Sequence, residues 1–290
     1  MGDLIGRLEV VICEYILAEM PNDPTGTLDA MSLPDLLISY GTWRSRQIPA
    51  QPRRCHRSPE LLANPKAAEH KVVLDAIAAK IEAGDDLSPH LSKRIDQGLR
   101  VDRMLADLNV YHLHLSVQLE ANGRFVEQGD DLLFAAFTTG DAYLIGIYRH
   151  ATDWARKNIL ETIARNWPDA GIAHQGSYAI GLTQNFTDAE RLELQRAGVS
   201  ANAIQVDGKV FATLGQSIAG NPYSANQLRM TVMHGLRDWK EHLAERLEEA
   251  AQAINIAAGR EVDGDWEPIV HDERAGLQRE DVFHGIVSLR

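Results

Sequence analysis

From Tyr111 to Glu120 apolar and polar residues alternate without a break, and a period of two is a pattern that a strand can bury on one face and a helix cannot. Tyr111, Leu113, Leu115, Val117 and Leu119 share one face, and His112, His114, Ser116, Gln118 and Glu120 share the other. This predicts a half-buried strand with an exposed histidine row. Leu132 to Phe137 is apolar on both faces and suits a central strand. Thr138-Thr139-Gly140-Asp141 supplies turn chemistry, and Ala142 to His150 reads as a third strand, so an antiparallel meander follows over about residues 110 to 150. Thr152 or Asp153 can cap a helix running to Asn166, where Trp167-Pro168 ends it because the residue before proline avoids the α region.

Upstream of the meander the period is helical. Leu4, Ile5, Leu8, Val11, Ile12, Ile16 and Leu17 form one stripe that Pro21 stops. Residues 32 to 40 open a second helix capped by Ser32. Residues 65 to 84 and 88 to 107 give two more, the first closed by Gly84 and the second opened by Ser88 at the cap with Pro89 behind it. Between the helix at 32 to 40 and the one at 65 to 84, Trp43 to Pro59 is cationic and rich in proline, which points to extended surface structure.

Downstream, Tyr178 to Thr183 reads as a strand, and Thr187-Asp-Ala-Glu190 is a capping box for a helix that ends at Gly198. Ile204 to Thr213 reads as a hairpin turning at Asp207-Gly208. Ser224 caps a long helix over about residues 225 to 257, and an acidic, weakly periodic tail follows Gly259. The fold class is therefore α+β: a mostly helical N-terminal region (1–108), then an α+β region (109–290) with an antiparallel sheet and a long C-terminal helix.

The 290 residues are 44% apolar, enough chain for two ordinary cores. No apolar run approaches the ~18 residues of a membrane span, and Met-Gly-Asp-Leu-Ile lacks the basic and apolar segments of a secretory signal. The two cysteines, Cys13 and Cys55, have no metal-site spacing, and a reducing cytoplasm is the expected compartment. A net charge of −12 repels polyanions on average, so a nucleic-acid partner needs a local basic patch.

His112 and His114 project to one side of a strand with Cβ atoms about 6 to 7 Å apart and can act on one ligand. A metal there needs a third ligand from Glu120, Asp141 or His150. The alternative chemistry uses no metal or other cofactor. Cleaving RNA through its own 2′-hydroxyl requires a base, an acid for the leaving 5′-oxygen, and positive charge on the phosphoryl centre. His112, His114 and His150 can carry the protons, and Arg124, Arg149 or Arg156 the charge. The plain reading is a row of polar residues on a solvated or covered face.

The run Tyr111-His-Leu-His-Leu, then Arg124-Phe125, then Leu132 to Phe137, then Tyr143 to His150 resembles the core of RelE/ParE-type toxins, within the barnase-EndoU-colicin-RelE-like nucleases. The resemblance covers about residues 109 to 158. It implies a metal-independent endoribonuclease, or a degenerate relative, with RNA as substrate and Arg124, Arg149 and His150 in catalytic roles. Those toxins are small and basic, whereas this chain is large and acidic, so the resemblance leaves the helical first hundred residues as a regulatory or recognition module.

Three further features widen the choice. Trp43, Arg44, Arg46, Arg53, Arg54 and Arg57 can bind RNA phosphates and stack a base, or pair with some of the chain's own 41 acidic residues. The loop Gly215 to Ser224, with Ser217 and Ser224, precedes a helix N-terminus that favours anions, although it lacks the Gly-Lys-Ser/Thr ending of a P-loop. Leu228, Val232, Leu236, Trp239, Leu243, Leu247, Ala250 and Ile254 form one apolar stripe on the long helix. Such a stripe is either core or the seat of a protein partner or homodimer, and the second case makes the chain a regulatory or adaptor protein.

Overall fold

A computed structural model describes residues 3–21, 23, 25–121, 123–150, 153–217 and 220–290. In chain order the first elements are α1 (Leu4–Glu19), α2 (Leu33–Arg44), β1 (Arg54–Arg57), α3 (Pro59–Leu62), α4 (Pro65–Glu69) and α5 (Lys71–Ala83). Two 3₁₀ turns, Ser88–His90 and Lys93–Asp96, precede α6 (Arg103–Leu108), β2 (Tyr111–His114), β3 (Asp131–Phe137) and β4 (Asp141–Arg149). Then come α7 (Lys157–Asn166), β5 (His174–Gln175), α8 (Asp188–Arg196), β6 (Ala203–Val206) and β7 (Lys209–Ala212). The last are α9 (Tyr223–Glu241), α10 (Leu243–Ala258), β8 (Glu267–His271), β9 (Arg274–Arg279) and β10 (Val282–Ser288). The protein is an α+β mixture, with helices first, antiparallel sheets, and a long helical stretch near the C-terminus. No helix among the described residues is long and apolar enough to cross a membrane.

The chain forms two compact units: Met1–Arg44, Gln97–Leu99 and Ser224–Arg290 make one, and Ser45–Asp96 with Arg100–Tyr223 makes the other. This grouping differs from a division after residue 108, because both ends of the chain contribute to the same core. In the first unit, α1 is capped by the Asp3 carboxylate, which accepts from Gly6 N at 2.9 Å. It packs Leu8, Ile12 and Ile16 against Leu36, Leu37 and Tyr40 of α2 and Leu228, Val232 and Leu236 of α9. Gly41 lets α2 and α9 approach closely, since a Cβ there would stand 2.8 Å from Ala225 Cα.

The stripe expected to run along one helix is shared by two, because the helix kinks at His242, where φ is −118° and ψ 30°. The His242 ring bonds the Asp238 carbonyl there. Trp239, Leu247 and Ala250 are buried against Leu4, Ile5 and Leu277 of the same unit, so the stripe is core. Ser224 does not cap α9; it lies exposed in its first turn. The expected tail is instead a three-stranded antiparallel meander, β8-β9-β10. Its first turn uses Asp272 and Glu273, both at positive φ, so the glycine or asparagine that usually announces such a turn is missing.

In the second unit the sheet order is β1-β4-β3-β2, with β1 parallel to β4 and the other pairs antiparallel. Both faces are covered. Met104, Leu108, Phe134, Tyr148, Ile159 and Ile163 form the core on one side, and Leu61, Leu74, Ile77, Leu113, Leu133 and Leu144 the core on the other. Ser58 ties the edge together: its hydroxyl donates to Ile145 O at 2.6 Å and accepts from Leu61 N at 2.8 Å, at the start of α3. The Asp207-Gly208 hairpin and the Thr187–Glu190 capping box both form, the former with φ of 48° and 77°.

Five further expectations fail. The strand from Tyr111 stops at His114 rather than Glu120, because His114 pairs with Leu132 and β3 begins one residue further on; beyond it Leu119 makes only an isolated antiparallel bridge to Val126. Residues 88 to 107 are not one helix; Asp102 starts α6 afresh by accepting from Leu105 N. Tyr178 and Ile180 are almost fully exposed, and their segment finds no sheet partner. Arg54–Arg57 is a strand of the sheet, and the preceding segment is not uniformly surface, since Trp43 and Arg44 belong to α2 and Arg46 and Arg53 are buried. Helix α7 begins at Lys157 without a cap from Arg156 before it, its first N–H being taken by the Asp188 carboxylate at 2.8 Å; Asp153 binds Arg149 N instead, and Thr152 lies outside the described residues.

Candidate functional site

On β2, His112 stands opposite Phe134 and His114 opposite Leu132. Both therefore point to the face that carries Phe134, Leu132 and Tyr148, which is a core face. The expectation of an exposed row is overturned here: His112 is 8% and His114 1% exposed. Alternation on this strand separates two cores rather than core from water. His150 follows β4 and is exposed, its backbone N–H held by Asp130 O at 2.8 Å. Although β3 lies between β2 and β4, the side chains lean across its end. The ring centroids are 6.2 Å apart for His112–His114, 6.5 Å for His112–His150 and 6.2 Å for His114–His150. Trp154 stands nearly perpendicular to two of them, 4.8 Å from His112 and 5.1 Å from His150.

Both buried ring nitrogens of His114 lack a hydrogen-bond partner, and buried His112 Nδ1 has only a long contact to the Asp102 carboxylate. Burial pushes His114 down to about 4, helped by repulsion from His112 and His150, while the Gly129 backbone acts weakly the other way. Burial also lowers His112, although Asp102 opposes that shift. Both imidazoles are neutral at pH 7. The Asp102 carboxylate lies 3.5 Å from His112 Nδ1, which favours the tautomer protonated there and leaves Nε2 with its lone pair. Behind the strand, the ring of His90, itself buried, bonds the His114 carbonyl at 3.0 Å.

A cleft of about 570 Å³ opens on this wall, with Tyr111, His112, His150 and Trp154 along one side. Arg46, Arg94, Arg100 and Arg103 line it too, against the single carboxylate of Asp102. Arg46 is fixed by a bond to Arg94 O and Arg103 by bonds to Gln195 O and Arg196 O, whereas Arg94 and Arg100 are exposed. The Tyr111 hydroxyl donates to Ser45 O at 2.7 Å, and burial holds its phenol well above the usual range. A second cleft of about 540 Å³ shares His150 and is lined by Lys66, His70, Asp130, Asp131 and Arg149. There Asp131 bridges Lys66 and His70, whose Nε2 is 3.1 Å away.

Three rings on one tetrahedral ion, at metal–nitrogen distances of about 2.0 Å, would have centroids about 5 Å apart. The observed triangle is wider, and among the described residues no group of three His, Cys, Asp or Glu could hold a metal ion.

The remaining residues singled out in the sequence lie elsewhere. Arg124 lines neither cleft; it pairs with Asp96 at 2.6 Å. Trp43 is half-buried against Tyr40, and Arg44 pairs with Glu273, both within the first unit. Arg53 is spent on the carbonyls of Thr138 and Pro49, Arg54 on Asp141 and Arg57 on Asp75. Ser217 is bonded to Asn221 within its own loop. Missed in the sequence were Asp102, Trp154, Lys66, His70 and the arginines at 94, 100 and 103. Asp102 had a signal, an Asp three residues before an apolar pair, but a helix drawn through it from Ser88 hid the cap. Comparison with protein-family models, curated proteins and solved structures finds no match for this chain.

Proposed function

We propose that the chain is a metal-independent endoribonuclease, a RelE-like nuclease or a degenerate relative of that type, acting on RNA in a reducing cytoplasm. The observation that carries the reading is the convergence of His112, His114 and His150 within 6.5 Å, with His112 and His150 on the wall of a cleft lined by four arginines and His114 buried behind them. His112, neutral and oriented by Asp102, takes the proton of the substrate 2′-hydroxyl through Nε2. His150, exposed at the junction of the two clefts, donates to the leaving 5′-oxygen. His114 keeps a second uncharged imidazole beside them, and Arg94 and Arg100 offset the charge that develops on the phosphoryl oxygens. Both cysteines are free thiols, which suits a reducing compartment.

The test is to incubate the protein with mixed single-stranded RNA, with and without EDTA. Cleavage that survives EDTA and leaves 2′,3′-cyclic phosphate ends is the expected result. Cleavage abolished by EDTA, or none at all, rejects the reading.

A further inference from the structure

His150 lines both clefts of the second unit, one of about 570 Å³ and the other of about 540 Å³. Their charges differ. Four arginines face one carboxylate in the first, so it carries an excess of positive charge. In the second, Lys66 and Arg149 balance Asp130 and Asp131, and Lys66 is already engaged with Asp131. The first cleft therefore suits phosphates, and the second suits the sugar hydroxyls and base edges of a nucleoside, with one exposed cation, Arg149. Trp154 is half-buried at the junction beside His112 and His150, where a base can stack.

We infer that the two clefts are halves of one track for a single-stranded polynucleotide, crossing the sheet edge at His150 with at least one nucleotide on each side of the scissile phosphate. This rests on the reading of the histidine wall as a phosphodiester site. A duplex cannot follow the track, because its paired and stacked bases cannot splay toward Trp154 while the backbone bends past His150. Affinity and its salt dependence come mainly from the arginine cleft. Substrate length is sensed by the second.

The experiment measures fluorescence anisotropy of 2′-O-methyl oligonucleotides, which lack the attacking hydroxyl, bound to the full chain between about 50 and 200 mM salt. Probes are a dinucleotide, a tetranucleotide, an octanucleotide, and the octanucleotide annealed to its complement. Arg94→Ala with Arg100→Ala should weaken binding at every length and, for the tetranucleotide and octanucleotide, flatten the salt slope by about 1.4, two contacts at roughly 0.7 each. Arg149→Ala, which removes the cation that meets the phosphate beyond the scissile one, should leave the dinucleotide, which has no such phosphate, unchanged and weaken the octanucleotide about fivefold. Circular dichroism melting confirms that each variant is folded. The track is overturned if Arg149→Ala acts equally at all lengths or at none, if the duplex binds as tightly as the single strand, or if no probe binds. Two-sided binding by a protein that cuts no RNA would keep the track and reject the chemistry, and cleavage without the Arg149 length effect would do the reverse.

Discussion

Replacing His114 by leucine isolates the electrostatic cost of the histidine wall. The His114 ring is buried with neither nitrogen bonded, and burial beside His112 and His150 lowers it to about 4. In the unfolded chain an imidazole titrates at about 6.5. On acidification the unfolded state takes up its proton first, so the folded state loses relative stability from about pH 6.5 downward, and the loss is complete only below pH 4. Between pH 7.5 and 4.5 this one group should remove about 2.5 kcal/mol. His114→Leu lacks that proton, so the wild-type stability minus the variant's should fall by about 2.5 kcal/mol over the same interval. Urea unfolding of both proteins at the two pH values reads the difference, in which other titrating groups largely cancel. A difference that does not change with pH refutes the burial argument, and so does an imidazole signal for His114 titrating above pH 6 in an NMR pH series.

Ser58→Ala removes a buried cap and the bond to Ile145 O, and should cost about 1 to 2 kcal/mol, measured as a lowered urea midpoint. Asp102→Asn keeps a good cap for α6 but weakens the hold on His112 Nδ1; thermal melting should stay nearly unchanged while RNA cleavage falls at least tenfold. Arg53→Ala with Arg54→Ala should lower the melting temperature, since Arg53 serves the carbonyls of Thr138 and Pro49, and should leave RNA affinity and its salt slope unchanged. A flattened slope in that variant would show that the segment contacts phosphate after all.

What the sequence made legible was local. The capping box at Thr187, the Asp207-Gly208 turn and the stop at Gly84 each depend on a few neighbouring residues, and each is present. What it hid was set by distant partners. Arg54–Arg57 has no strand pattern, and only its pairing with Asp141–Leu144, with Asp141 and Asp75 accepting its arginines, makes it a strand. Tyr178 and Ile180 have the composition of a strand and no neighbour to pair with. The meander was readable at β3 and β4, but the length of β2 depended on where β3 begins, which is a matter of register rather than of the Tyr111–Glu120 string itself.

The same dependence explains why the histidines were found and their surroundings were not. Period-two spacing alone puts His112 and His114 on one face of a strand, but whether that face meets water is decided by what covers it. Here α6, whose Asp102 reaches His112, and Trp154 close over a face that also carries Phe134 and Tyr148. A core that needed only packing would gain from apolar residues at both positions, because each unbonded buried nitrogen costs about 1 to 3 kcal/mol. Leucine on the opposite face at 113 shows that this strand accommodates such a side chain where nothing else is asked of it. On the proposed reading, that cost is borne for the chemistry of the histidine wall rather than for packing.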